Sequence, residues 1–209
     1  MIKDTLVVGD LGFIGAKVRE KLNCLGMDSK RGENIEFHQP IRGIKYVIHC
    51  AGQPSVPFSR KCPVHDLVSN VVNTLELIRL YPNAKFTFLS SINVLNLDSP
   101  YAVSKQAAEC YLNILTKKPL ILRITNVIDK DHGIIAELAN SNPIVVYGDR
   151  KKDFIQVDKV VNFICGNYKW EKGTHVVGSG KLTSIKSVAE RIAEKMNKKI
   201  IYKDIKCIQ

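Results

Sequence analysis

The most constraining feature of the chain is the run TLVVGDLGFIG near its start, in which Gly9, Gly12 and Gly15 recur every third residue. A short apolar run, TLVVGD, precedes them. Residues 13–23 follow with a helical period carried by Ile14, Val18 and Leu22. Glycines at this spacing, after a strand and before a helix, make a phosphate cradle. They permit a tight turn, let a pyrophosphate approach the backbone, and let helix and strand pack closely. The positive end of the helix dipole favours the anion. A chain that opens this way is expected to build a dinucleotide-binding α/β sheet.

The rest of the pattern agrees. KYVIHCAG (45–52) reads as a buried strand ending in a small-residue turn, and AKFTFLSS (84–91) and PLILRIT (119–125) read as two more. Between them, Leu67, Val71, Leu75 and Ile78 mark one helical face over 64–80. Ser99 and Pro100 supply an N-cap and a first-turn proline for a helix reaching about Leu115. Short apolar strands alternating with amphipathic helices predict a parallel sheet covered on both faces. Further on the pattern is more broken, with helices near 132–140, 157–166 and 184–197. The expected architecture is α/β: a Rossmann-type doubly wound parallel sheet over residues 1–130. A small C-terminal substrate lobe over 131–209 is expected to interleave with the last strands.

The stretch SPYAVSK places Tyr101 and Lys105 four residues apart, on one face of that helix. A cation beside a phenol favours the phenolate, and a phenol so tuned passes protons near neutral pH. The same spacing also arises by chance outside any cleft, so the pair alone leaves both readings open.

Net charge is +11, which suggests an anionic partner. The lysines are dispersed, with one denser stretch from Lys195 to Lys206, and no basic run is interleaved with aromatics. Nucleic acid is therefore not expected as a partner, and a phosphorylated small molecule is. No apolar run approaches the roughly 18 residues of a membrane span, and the N-terminal run has no signal-peptide pattern. The six cysteines, at 24, 50, 62, 110, 165 and 207, include no CxxC pair and no His-Cys cluster. They read as reduced thiols in the cytoplasm. His38, His49, His65, His132 and His175 show no ligand spacing, so no metal site is expected.

Taken in order, GxxGxxG, VIHCAGQPSV, FLSS, YxxxK, LRITNV, VYGDRKKDFIQVDKVV and VVGSGKLTSI resemble the extended short-chain dehydrogenase/reductases. More narrowly they resemble the nucleotide-sugar epimerase/dehydratase family, over roughly residues 4 to 203. The resemblance implies NAD or NADP as cofactor and a nucleotide sugar as substrate. It implies that Gly9, Gly12 and Gly15, with the amides of Phe13 and Ile14, bind the cofactor pyrophosphate. Cys50, Ala51 and Gly52 would line the cofactor, supported by Asn70, and Glu36 and Phe37 would flank the adenine. Ser91 would hydrogen-bond the substrate oxygen, Tyr101 would act as acid and base, and Lys105 would hold the nicotinamide ribose and lower the phenol pKa. Asn126 and Lys152 would contact the substrate diphosphate, with lysine where the family usually has arginine. The adenosine ribose would be read at Asp28-Ser29-Lys30-Arg31. An acidic residue there favours NAD and Lys-Arg favours NADP, and both are present.

The implied reaction is hydride transfer at a sugar carbon, as a C4 epimerase or as a 4-keto-sugar-nucleotide reductase. A binding or regulatory protein that keeps the dinucleotide fold without turnover is the alternative. A 4,6-dehydratase is not expected, because Ile92 and Asn93 stand where its acid pair would be. The chain is shorter than is usual in the family, and Ser91 and Tyr101 are closer in sequence. By resemblance, a homodimer is expected through the helices over 64–80 and 101–116.

Overall fold

In the computed structural model residues 1–203 are described; Cys207 and the last lysine of the basic stretch lie outside them. The elements, in chain order, begin with β1 (Ile2–Val8), α1 (Phe13–Leu22), β2 (Cys24–Met27), β3 (Tyr46–His49), α2 (Val56–Lys61) and α3 (Pro63–Leu67). They continue with α4 (Asn73–Leu80), β4 (Lys85–Ser91), α5 (Pro100–Leu115), β5 (Leu120–Ile124), β6 (Asn126–Ile128) and α6 (Ile134–Asn140). The last are β7 (Ile144–Tyr147), β8 (Lys151–Gln156), α7 (Val157–Asn167), β9 (Gly173–Val177), β10 (Leu182–Ser184), α8 (Ile185–Met196) and β11 (Ile200–Lys203).

The chain divides into two compact units. The first comprises Met1–Ile124 and Val161–Val176. Its sheet runs in the order β2-β1-β3-β4-β5-β9, and the pairs from β2 through β5 are all parallel. Successive strand residues point to opposite faces. Leu6 and Val8 of β1 join Val47, Phe86, Phe88 and Ile121 under Leu77, Ile78, Ala108 and Leu112 from α4 and α5. Val7, between Leu6 and Val8, is also fully buried, as is Ile48, so both faces of the sheet are covered. This is the parallel α/β sheet that the pattern predicts.

The second unit comprises Thr125–Val160 and the described residues from Val177 on. Within it β8 pairs with β6 in parallel and with β10 antiparallel, while β7 and β11 form a parallel pair. Leu138, Ile144, Val146, Ile185, Val188 and Ala189 form its core.

The helix predicted over 64–80 is one helical run with a π-helical turn at Val68–Val72, between α3 and α4. Such turns insert a residue into the i→i+4 ladder and are frequent at functional sites. This one carries Asn70 inward, fully buried.

Candidate functional site

The site is built in the first unit at the carboxyl ends of β1, β3 and β4. The turn after β1 keeps its glycines for reasons of space. Gly9 has φ +83°, and a Cβ there would lie 2.6 Å from the Ala51 backbone nitrogen. A Cβ on Gly15 would lie 2.1 Å from the Gly9 carbonyl oxygen and 3.2 Å from the Cys50 Cβ. The turn after β3, Cys50-Ala51, therefore presses directly against the first. The Gly12 amide donates to the Gly9 carbonyl at 3.0 Å, and Gly12 opens α1 without a side-chain cap. Phe13 and Ile14 thus stand in the first turn of a ten-residue helix, where amides lack helical partners. This backbone, bare at its three glycines and at a helix N-terminus, fits a pyrophosphate.

Asp28 follows β2 and is buried. Its carboxylate accepts the Leu11 amide at 3.0 Å and the Lys30 amide at 2.9 Å, which ties the end of β2 to the glycine turn. Glu36 and Phe37 occupy a 3-10 turn whose anchor is the buried Ile35. Both assigned side chains face solvent, Phe37 with 78 % of its surface exposed.

Tyr101 and Lys105 enter one buried cluster. Ser99 caps α5 by accepting the Ala102 amide at 3.3 Å, and Pro100 occupies the first turn, as predicted. The Tyr101 amide donates to the Ser59 hydroxyl at 3.2 Å. The Lys105 ammonium donates to the Leu89 carbonyl at 2.9 Å and lies 4.7 Å from the centre of the Phe88 ring. A Cβ on Gly52 would lie 3.3 Å from this ammonium and 2.6 Å from the Asn70 amide oxygen. Ser91 is buried at the end of β4, where its hydroxyl accepts the Asn93 amide at 3.2 Å and caps a 3-10 turn over Ile92–Leu95.

The electrostatics differ from the expectation in one respect. Burial raises the Tyr101 phenol above its ordinary value, a hydrogen bond with Ser91 opposes this, and the Asp66 charge adds to the rise. Desolvation of the phenol, and not a lowering by the Lys105 ammonium, sets the direction of this shift. Burial also lowers Lys105 itself to about 8, against the opposing pull of Asp66, Cys50 and Glu109. Burial pushes the Cys50 thiol up to about 12, so it is not a thiolate nucleophile at neutral pH. His49 is a buried neutral imidazole, pushed to about 3 by burial and by the Lys105 charge. Its Nε2 pairs with the Thr74 hydroxyl at 3.0 Å, while its Nδ1 has no partner.

Sequence reasoning misses several residues of this cluster. Asp66 is fully buried on α3. One of its carboxylate oxygens accepts from Gln53 Nε2 at 2.8 Å and from Asn70 Nδ2 at 3.1 Å, and the other has no hydrogen bond. Asn70 accepts the Gln53 amide at 3.1 Å and donates to the Ser104 hydroxyl at 3.1 Å; that hydroxyl donates to the Tyr101 carbonyl at 3.0 Å. Asn70 therefore locks the Gly52-Gln53 turn to α5 beside Tyr101. The i, i+4 spacing of Asp66 and Asn70 is the sequence signal for this pair. Ser90 donates to Glu109, and Glu109 pairs with Arg123 at 2.7 Å, which fixes the end of β4 next to Ser91.

In the second unit Asn126 and Lys152 are brought together. The Lys152 ammonium donates to the Asn126 amide oxygen at 3.1 Å, and Asn126 Nδ2 donates to the Asp153 carbonyl at 3.1 Å. Asp153 is a loop contact: its carboxylate accepts from the Ser179 and Gly180 amides, both at 2.9 Å. Among the described residues no cluster of His, Cys, Asp and Glu has metal-binding geometry.

Residues 5–177 match the model of the NAD dependent epimerase/dehydratase family. A Methanocaldococcus jannaschii protein carrying the provisional name UDP-glucose 4-epimerase is 29% identical, over 92% of this chain and 72% of its own length. The dTDP-4-dehydro-6-deoxyglucose reductase of Escherichia coli is 30% identical over 79% of this chain, which spans 64% of that protein. The UDP-glucose 4-epimerase of Thermus thermophilus, solved in complex with NAD, superposes with a TM-score of 0.79 at 22% identity. That match covers 97% of this chain and 86% of that one.

Proposed function

Because the chain belongs to the NAD-dependent epimerase/dehydratase family, we propose that it is an NAD(P)-dependent enzyme that inverts a ring carbon, C4, of a nucleotide-activated sugar. The observation that carries this reading is the buried cluster of Ser91, Tyr101 and Lys105, together with the glycine turn at the start of α1. NAD(P), when bound, accepts and returns the hydride.

The chain's own residues do the remainder. The backbone of Gly9, Gly12 and Gly15, with the first-turn amides of α1, binds the pyrophosphate. Asp28 reads the adenosine ribose and Lys105 the nicotinamide ribose, while Cys50, Ala51 and Gly52 line the cofactor and Asn70 holds that turn in place. Glu36 and Phe37 flank the adenine. Tyr101 takes the proton from the C4 hydroxyl and returns it to the new one, with Ser91 orienting the sugar oxygen. The raised phenol favours holding the proton, which suits the step that returns it. Asn126 and Lys152, already hydrogen-bonded to each other, bind the diphosphate.

A second reading, a 4-keto-sugar-nucleotide reductase, draws on the similarity to the Escherichia coli reductase. A third is a dinucleotide-binding regulatory protein without turnover. A homodimer fits the surface of the first unit. Leu67 and Val68 at the π turn and Val103, Ile114 and Leu115 on α5 are between 43 % and 77 % exposed, in helices that pack on one another. The enzyme is proposed to work in the cytoplasm, supplying sugars for carbohydrate biosynthesis; no described helix is long and apolar enough to cross a membrane.

The test is incubation with NAD and with NADP against UDP-, dTDP-, GDP- and CDP-sugars, including 4-keto forms. Interconversion of C4 epimers without net change in reduced nicotinamide supports the epimerase. Net oxidation of NADH or NADPH by a 4-keto sugar replaces it with the reductase. Cofactor binding with neither outcome over the whole panel replaces it with the non-catalytic reading.

A further inference from the structure

Asp10, inside the glycine turn, is a carboxylate with 1 % of its surface exposed. Strand β2 is shaped to admit it: a Cβ on Gly26 would lie 2.0 Å from Asp10 Oδ2 and 2.7 Å from the Arg19 Cδ. Two guanidiniums meet it there. Arg19 Nε lies 3.1 Å from Oδ2, and Arg31 Nη2 donates to Oδ1 at 2.7 Å. Arg31 is held a second time, its Nε donating to Glu33 Oε2 at 3.0 Å, and the same Glu33 oxygen accepts the Asp28 amide at 3.0 Å.

The position of Arg31 gives this clamp its meaning. It stands three residues after Asp28, on the turn that follows β2, where a nicotinamide dinucleotide fold reads the adenosine ribose. There an acidic side chain takes the 2′-hydroxyl, or an arginine takes a 2′-phosphate. From sequence alone Asp28 and Lys30-Arg31 pull in opposite directions. In the structure the arginine fork is already spent on two carboxylates. Withdrawing it would leave Asp10, buried, with Arg19 alone, and stripping a partner from a buried carboxylate is costly. Lys30 is left as a point charge without the bidentate fork, and a 2′-phosphate placed here would also face Asp28.

Resting on the reading that this turn binds a nicotinamide dinucleotide, we propose that Asp10 is a positioning residue that makes the site select NAD over NADP by pinning Arg31. It acts through Arg31 and touches no part of the cofactor itself.

The experiment is equilibrium titration of the full chain with NADH and with NADPH, followed by nicotinamide fluorescence. It compares wild type, Asp10→Asn, Arg31→Gln and the double variant. Wild type is expected to bind NADH more tightly by about tenfold or more. Asp10→Asn is expected to narrow that ratio by about tenfold through a gain in NADPH affinity, and adding Arg31→Gln should remove the gain. Arg31→Gln alone should leave the wild-type ratio unchanged. A general loss of folding moves both affinities together and not their ratio. Should Asp10→Asn fail to fold, the wild-type ratio and the Arg31→Gln variant still decide. Equal or tighter binding of NADPH by wild type overturns the inference alone, as does a several-fold loss of NADPH affinity relative to NADH in Arg31→Gln. Failure of wild type to bind either dinucleotide overturns the cofactor reading and this inference with it.

Discussion

The Lys105 ammonium donates to the carbonyl oxygen of Leu89 at 2.9 Å, one turn along α5 from the phenol that the spacing predicts it to acidify. Tyr101 is thus a buried phenol whose proton is held by desolvation, with Ser91 as the group that eases its release. Tyr101→Phe keeps the ring and removes only the hydroxyl that carries that proton. Turnover should fall by about 10²–10⁴-fold, while the affinity for NADH, measured by fluorescence titration, stays at the wild-type value. Comparable turnover in the variant would take Tyr101 out of the chemistry.

Lys105 makes stability depend on alkaline pH. Its ordinary value is 10.5 and the folded value is about 8. Between these, the unfolded chain binds a proton that the folded chain does not, so stability rises with pH across the window. The contribution is up to about 1.4 kcal/mol per pH unit. Below about pH 8 both states are charged and the penalty is constant. Lys105→Met should be the more stable protein at pH 8, and its advantage should shrink toward pH 10.5. Urea midpoints at intervals across that range read the difference; parallel curves for the two proteins would contradict it.

His49 makes a second, acidic contribution. Folded, it stays neutral to about pH 3, whereas the free imidazole takes a proton near 6.5. As pH falls through this window only the unfolded chain gains the proton, and stability drops by about 1.4 kcal/mol per pH unit. His49→Leu removes this limb without stranding Thr74, whose hydroxyl also donates to the Asn70 carbonyl at 2.8 Å. Denaturant melts between pH 6.5 and 4 should show a flatter acid limb in the variant, and an identical limb would contradict the assignment.

Ile114, 77 % exposed on α5, tests the dimer. Light scattering of wild type should give twice the 23.4 kDa chain mass, and Ile114→Glu should shift it toward the single chain. A wild-type monomer over the working concentration range would contradict the dimer.

The parallel sheet was legible because its strands are short, apolar and separated by amphipathic helices, and because Ser99-Pro100 marks the start of α5. The glycine turn was legible because backbone geometry limits what can stand at Gly9 and Gly15. The π turn was not, since Val68–Val72 carries the same residue types as an ordinary helical turn and only packing inserts the extra residue. The direction of the Tyr101 shift was missed for a related reason. Spacing puts Lys105 on the right face of α5 but does not say which oxygen its ammonium reaches, nor that both groups lose their water. Asp10 reads as one more polar loop residue until Gly26 is seen to make room for it on the neighbouring strand. Arg31, likewise, looks available until its partners Asp10 and Glu33 are known.

The most direct test of the whole account is a crystal of this protein soaked with NAD. The account predicts the pyrophosphate on the Phe13 and Ile14 amides and the nicotinamide ring beside the Tyr101 hydroxyl. An empty crevice at saturating NAD, or a phenol turned away from the bound ring, would contradict it.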